Sequence, residues 1–192
     1  MKTKRILLGL LVLGSFLTFG IQNRAANLPP GKGGVLPAIN LPLPKESFKK
    51  DYLGLSWQGF FKIPQIKARV VIIEIFSPYC PACVKLAPKV KELYQTIQSS
   101  PELRGKIKLI GIGAGNTVKE VQHFQRITET PFPLFPDKDF HIHEALGEVR
   151  TPYFIGIKIH GDGTHEVIYS ELGGFTNVQE FLDFLITASE LK

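Results

Sequence analysis

Cysteine is scarce in this chain: two residues in 192, Cys80 and Cys83, with two residues between them. A pair this close excludes the disulfide framework that holds small secreted domains together. It is also too few thiols for a four-cysteine zinc site. The five histidines do little to extend it. His141 and His143 form the one tight pair, and two residues apart on a helix they point to different faces. No metal site is read from these spacings. A purely structural staple fits poorly as well, because closing so short a loop removes little chain entropy. No cysteine lies near the N-terminus, which excludes a lipoprotein anchor. Concentrated positive charge is lacking too. The formal net charge is +6, but Lys2, Lys4, Arg5 and Arg24 supply four of the basic residues before Leu28. The remaining 19 basic and 17 acidic residues nearly balance. Nucleic-acid binders concentrate charge on a face or helix, so no nucleic-acid partner is expected.

What the chain does have begins with its leader. A basic start precedes a run without charge from Ile6 to Ile21, the pattern of a secretory signal. Ala25 and Ala26 offer small residues, but Arg24 or Asn23 at the −3 position suits cleavage badly. The uncharged run is slightly shorter than the roughly 20 residues that span a bilayer. Residues 1–26 are therefore read as a signal peptide or an uncleaved membrane anchor. Either places the rest outside the cytoplasm, in the periplasm or its equivalent, with membrane contact through residues 1–26 if they stay. Residues 27–44 are rich in proline and glycine and read as a linker running into irregular or short-strand structure, and 45–192 as the folded domain.

No internal repeat interrupts that domain. "RVVIIEIF" (Arg69 to Phe76) is apolar on both alternating faces, as a central strand covered on both sides requires. A turn carrying Cys80-Pro81-Ala82-Cys83 follows, then an amphipathic helix to about Ser99 that contains Pro88. "KIKLIGIGA" reads as a second strand and "TVKEVQHFQRIT" as a helix, with a short helix in "DFHIHEALG". "TPYFIGIKIHGDGTHEVIYSEL" is a hairpin turning at Gly161-Asp162-Gly163. "TNVQEFLDFLITASE" closes as a helix capped by Thr176 or Asn177. This alternation demands an α/β fold, a mixed sheet with helices on both faces and a partly antiparallel end. "GIGAGN" lacks the third glycine of a dinucleotide loop and the lysine of a phosphate loop, so it reads as a strand-to-helix turn.

A redox reading suits the cysteines best. Between a buried strand and a helix, Cys80 falls at the helix N-terminus, where unpaired amides and the macrodipole favour a thiolate. Pro81 suits the first helical turn, where its missing N–H costs nothing. Cys80 is then the nucleophile and Cys83, one turn in, the resolving thiol, forming a redox-active Cys80–Cys83 disulfide. Glu74 sits amid apolar neighbours, where desolvation raises a carboxylate's pKa and suits it to accept the Cys83 proton.

"EIFSPYCPACVKLAP" resembles the active-site segment of thioredoxins. The leader and the long insert before the hairpin make the chain more similar to exported or membrane-tethered oxidoreductases of the TlpA/ResA type, over roughly residues 35–190. Four features carry the resemblance: the CPAC turn, Pro88 eight residues after Cys80, Glu74 six before it, and Thr151-Pro152 opening the hairpin strand. It implies a cis bond at Pro152 facing the dithiol, with Thr151 and Pro152 holding the substrate backbone. Pro78 and Tyr79 stand as candidate substrate contacts, Tyr79 where thioredoxins often have tryptophan. It further implies protein disulfide substrates, a membrane electron donor, no cofactor, and roles such as cytochrome c maturation. Cytoplasmic thioredoxins commonly carry CGPC; Pro81-Ala82 departs from that and leaves open the direction of electron flow. A thiol peroxidase of the peroxiredoxin kind is the alternative. Ser77 matches that family's Ser/Thr three residues before the cysteine, but Ile73 replaces its proline. A copper carrier of this fold uses CxxxC rather than CxxC.

Overall fold

The computed structural model describes residues 28–191; the leader expected at 1–26 lies outside the described residues. The fold is organised by β3 (Val70–Phe76), every residue of which is buried. Its β-branched run packs on both pleated faces, and each fully buried aliphatic side chain contributes about 1.5–3 kcal/mol. Before it come β1 (Asn40–Pro42), α1 (Ser47–Leu53) and β2 (Phe60–Lys62). After it follow α2 (Pro81–Ser99), β4 (Ile107–Ala114), α3 (Val118–Ile127), β5 (Leu134–Asp137) and α4 (His141–Ala145). The hairpin β6 (Tyr153–Ile159) and β7 (His165–Leu172), and finally α5 (Val178–Ser189), complete the order.

Five strands form one sheet in the order β5-β4-β3-β6-β7, with β3 parallel to β4 and antiparallel to β6. The strand pleat divides β3 between two cores. Val71, Ile73 and Ile75 face a cluster that includes Leu41, Phe61 and Leu146. Val70 and Ile72 face Val90, Leu93 and Ile97 of α2 and Phe181, Leu182 and Leu185 of α5. The buried stripe of α2, Cys83, Ala87, Val90, Leu93 and Ile97, follows helical periodicity. The mixed sheet covered on both faces is the architecture that the sequence predicts.

The N-terminal segment differs from the expected linker. The N–H of Gly33 donates to the carbonyl of Val167, and Val167 donates back to Gly34, so this stretch lies along the edge of β7. Leu36, Ile39, Leu41 and Leu43 are buried, and β1 pairs with β2. The physical reason is a period-2 pattern in "AINLPLP": alternate apolar residues enter the core despite the prolines. The packed body therefore begins near Gly33 rather than at 45. Among the described residues, no helix is long and apolar enough to cross a membrane.

Candidate active site

Cys80 is the N-cap residue of α2, with extended backbone (φ −91°, ψ 111°), and Pro81 opens the first turn. Its position is set by the Ser77–Cys80 turn, where the N–H of Cys80 donates to the Ser77 carbonyl at 3.0 Å. The Cys80 sulfur accepts the Cys83 N–H at 3.3 Å, taking the place of an oxygen cap on one of the unpaired amides of the first turn. On its other side Cys80 Sγ lies 3.3 Å from the carbonyl oxygen of Thr151. The Thr151–Pro152 peptide bond is cis, and the Pro152 carbonyl is held by the Gly173 N–H. Sequence neighbours and a segment some seventy residues away thus meet at one sulfur.

The two thiols occupy different surroundings. Cys80 is partly exposed and Cys83 fully buried. Burial works to raise the Cys80 pKa, but hydrogen bonding with Cys83, Thr151 and Ala82 outweighs it and leaves the thiol below its ordinary 9.0. Burial, reinforced by the Cys80 sulfur, pushes Cys83 up to about 12. Thiolate character is therefore favoured on the sulfur that solvent can reach.

Glu74 lies on the face of β3 shared with Ile72 and Phe76, the face that α2 covers. It is 4% exposed, and its Oε1 has no hydrogen-bond partner. Desolvation, with a smaller contribution from Cys80, raises it to about 8. Its neighbours explain the dry setting. Gly111 pairs with it across β4, and a Cβ at Gly111 would collide with Leu134, so the sheet closes tightly there. Phe76 stacks on Phe124 (centroids 4.6 Å apart) beside Cys83 and Ala87.

The remaining predicted residues fall around this pair. Tyr79 is an exposed residue on the rim, and Pro78 is half-buried in the same turn. Pro88 lies within α2, on its exposed side. His143 and His141 do not converge: a ring nitrogen of His143 lies 2.8 Å from the Val149 carbonyl, bracing the segment that leads to Thr151. Among the described residues, no three His, Cys, Asp or Glu side chains are placed to hold a metal ion. Sequence reasoning missed Glu120, whose carboxylate accepts the Tyr79 hydroxyl. Its signal was present as the capping box "TVKE", in which Glu120 also receives the Thr117 N–H and hydroxyl at 2.7 Å each. It also missed Asn116 and Phe140, which line a cleft beside Thr151.

No family model matches the chain. In sequence it is similar to the thiol-disulfide oxidoreductase ResA of Halalkalibacterium halodurans, 25% identical over 126 residues. That match covers 65% of this chain and 66% of the relative, just under two thirds of its length. Solved structures share the fold. The thioredoxin domain of a thiol-disulfide oxidoreductase from Bacteroides vulgatus aligns with a TM-score of 0.57 at 16% identity, over 83% of this chain and 96% of that one. StoA from Bacillus subtilis aligns at 0.51 and 18% identity, over 66% and 89%. The chain thus has the thioredoxin-like fold and is homologous to ResA, a thiol-disulfide oxidoreductase.

Proposed function

We propose that this protein is a thiol-disulfide oxidoreductase that reduces disulfides in proteins outside the cytoplasm, with Cys80 as nucleophile, Cys83 as resolving thiol and Glu74 as proton acceptor. The observation that carries the reading is the asymmetry of the dithiol: one partly exposed sulfur at a helix N-terminus, one buried sulfur a turn further in.

In the proposed cycle the Cys80 thiolate attacks one sulfur of a substrate disulfide. A Cys80–substrate disulfide forms and the other substrate sulfur leaves with the electron pair, taking a proton from solvent. Capping Cys80 removes its negative charge, which in the free dithiol raises both Cys83 and Glu74. Cys83 then gives its proton to the Glu74 carboxylate and attacks Cys80. The Cys80–Cys83 disulfide forms and the second substrate sulfur leaves. Substrate gains two electrons, which a dithiol of a membrane electron donor restores to the enzyme. Pro78, Tyr79, Thr151 and Pro152 contact the substrate chain around the sulfur. The similarity to ResA supports the activity, and the leader at residues 1–26 supports export, with tethering if it is uncleaved. Haem-attachment cysteines in cytochrome c maturation are the finer substrate proposed.

The test is reduction of insulin or a model protein disulfide by the purified dithiol form. Turnover that Cys80→Ser abolishes supports the reading; turnover that survives this substitution overturns it.

A further inference from the structure

Tyr79 presents a problem of side-chain order. It is 73% exposed, so packing does not hold its ring, and a free tyrosine on a surface samples several rotamers. Yet its hydroxyl donates to Oε1 of Glu120, forty-one residues away on α3. Glu120 is a fixed acceptor. Its other oxygen, Oε2, is already held by the N–H and hydroxyl of Thr117 in the capping box. These bonds, that from Tyr79 foremost, pull the carboxyl down to about 2, so it stays an ionised acceptor across the working pH range.

The pinned ring borders a cleft of about 590 Å³ whose lining includes Tyr79, Gly115, Asn116, Phe140, Arg150 and Thr151. Phe140, also substantially exposed, lies over the backbone of Gly115, where any Cβ would collide with its ring. Two aromatic rings therefore contribute to the same cleft. It adjoins the reactive sulfur, because Thr151 borders the cleft and its carbonyl meets Cys80 Sγ. A polypeptide joined to Cys80 through its own cysteine would have this opening beside it, within reach of a neighbouring side chain. Aromatic walls favour a large apolar occupant, through area burial and ring–ring contact.

We infer that Glu120 is a positioning residue for substrate recognition: it holds the Tyr79 ring as one wall of an aromatic slot, and the slot selects polypeptide disulfides with a large apolar side chain next to the target cysteine. The inference rests on the proposed oxidoreductase activity and adds the substrate feature that the site reads.

The experiment uses cysteine peptides capped as glutathione mixed disulfides, differing only in a Phe or a Ser directly before or after the cysteine. The readout is the Phe-to-Ser ratio of kcat/KM. The wild-type chain favours Phe. Tyr79→Phe keeps the ring and removes the bond, lowering the ratio about two- to tenfold, the range one hydrogen bond supports. Glu120→Ala lowers it equally. Glu120→Gln retains an acceptor and a capping-box residue and preserves the ratio. Because Tyr79→Phe changes one exposed atom, it serves as the test even if Glu120→Ala loosens α3. A wild-type ratio near one, or a ratio unmoved by Tyr79→Phe, overturns the inference. If Cys80→Ser meanwhile abolishes turnover of every peptide, the oxidoreductase reading stands without it. If Cys80→Ser leaves turnover intact, that reading itself fails.

Discussion

The two ends of the central sheet present two clefts, and the larger one is far from the thiols. At the end where β3 and β4 begin, a cleft of about 930 Å³ is lined by Trp57, Lys67, Arg69, Lys106 and His160 among others. At the end where β3 finishes, the cleft beside Thr151 measures about 590 Å³. Size does not locate the chemistry; polarity does. The carboxyl end of β3 leads directly into the N-terminus of α2, where unpaired amides and the positive end of the helix favour a thiolate. The cleft at the opposite end is lined by cations and an aromatic ring, and neither cysteine lies there. The site proposed above draws on a helix start, a buried second thiol and a buried acid, and these meet at the first end.

The sharpest break in this comparison comes from substitution at the sulfurs. Cys80→Ser is expected to abolish reduction of insulin, whereas Lys67→Ser with Arg69→Ser at the opposite end leaves the rate within about twofold, since exposed charges there contribute little. Equal losses from both would erase the distinction. Cys83→Ser is expected to stop after one event. Mass spectrometry should then find the chain linked to substrate through Cys80, and a free, turning-over enzyme would remove Cys83 from its role.

Glu74→Gln keeps the shape and removes the acid. The resolving step, followed as release of the second substrate thiol, should slow on the order of 10²-fold, the lower range for a lost acid–base group. The same substitution has a pH signature. The folded-state pKa of Glu74 is raised from an ordinary 4.5 to about 8. Between those values the folded protein keeps a proton that the unfolded chain has lost, so stability falls as pH rises through this window. The full difference is on the order of 5 kcal/mol. Urea unfolding of the reduced Glu74→Gln variant should show that slope flattened, with the variant the more stable form near pH 9. An unchanged slope would mean that Glu74 reaches water.

A smaller expected effect concerns the N-terminal segment. Leu41→Ala should cost about 2–5 kcal/mol in urea unfolding, as for any buried leucine. A loss under about 0.5 kcal/mol would return residues 33–43 to a linker.

These contrasts also mark how far the sequence was legible. The β3 run, the CPAC turn, the α2 stripe and the hairpin were readable because each is a local pattern of apolar spacing or turn residues. The desolvation of Glu74 was readable for the same reason: its neighbours in "VVIIEIF" are its environment. The segment from Gly33 to Leu43 was legible only in part: short-strand structure was expected, but proline and glycine composition masked how an alternation of only three side chains, Ile39, Leu41 and Leu43, enters the core. α1 was missed because seven residues with one fully buried leucine give too little periodicity. The pairing of Tyr79 with Glu120 was beyond local reading altogether. Each residue has a local role, one in a turn and one in a capping box, and only the fold brings them together.

The central claim, that Cys80 carries the reactive thiolate and Cys83 is shielded from it, is tested most directly by the pH dependence of alkylation at each cysteine. Reduced protein is exposed briefly to iodoacetamide between pH 4 and 10, and each site is quantified by mass spectrometry. The expected result is a Cys80 midpoint below the ordinary 9.0 and a Cys83 unmodified throughout, in line with its rise to about 12. Two cysteines alkylated at the same midpoint and to the same extent would contradict it.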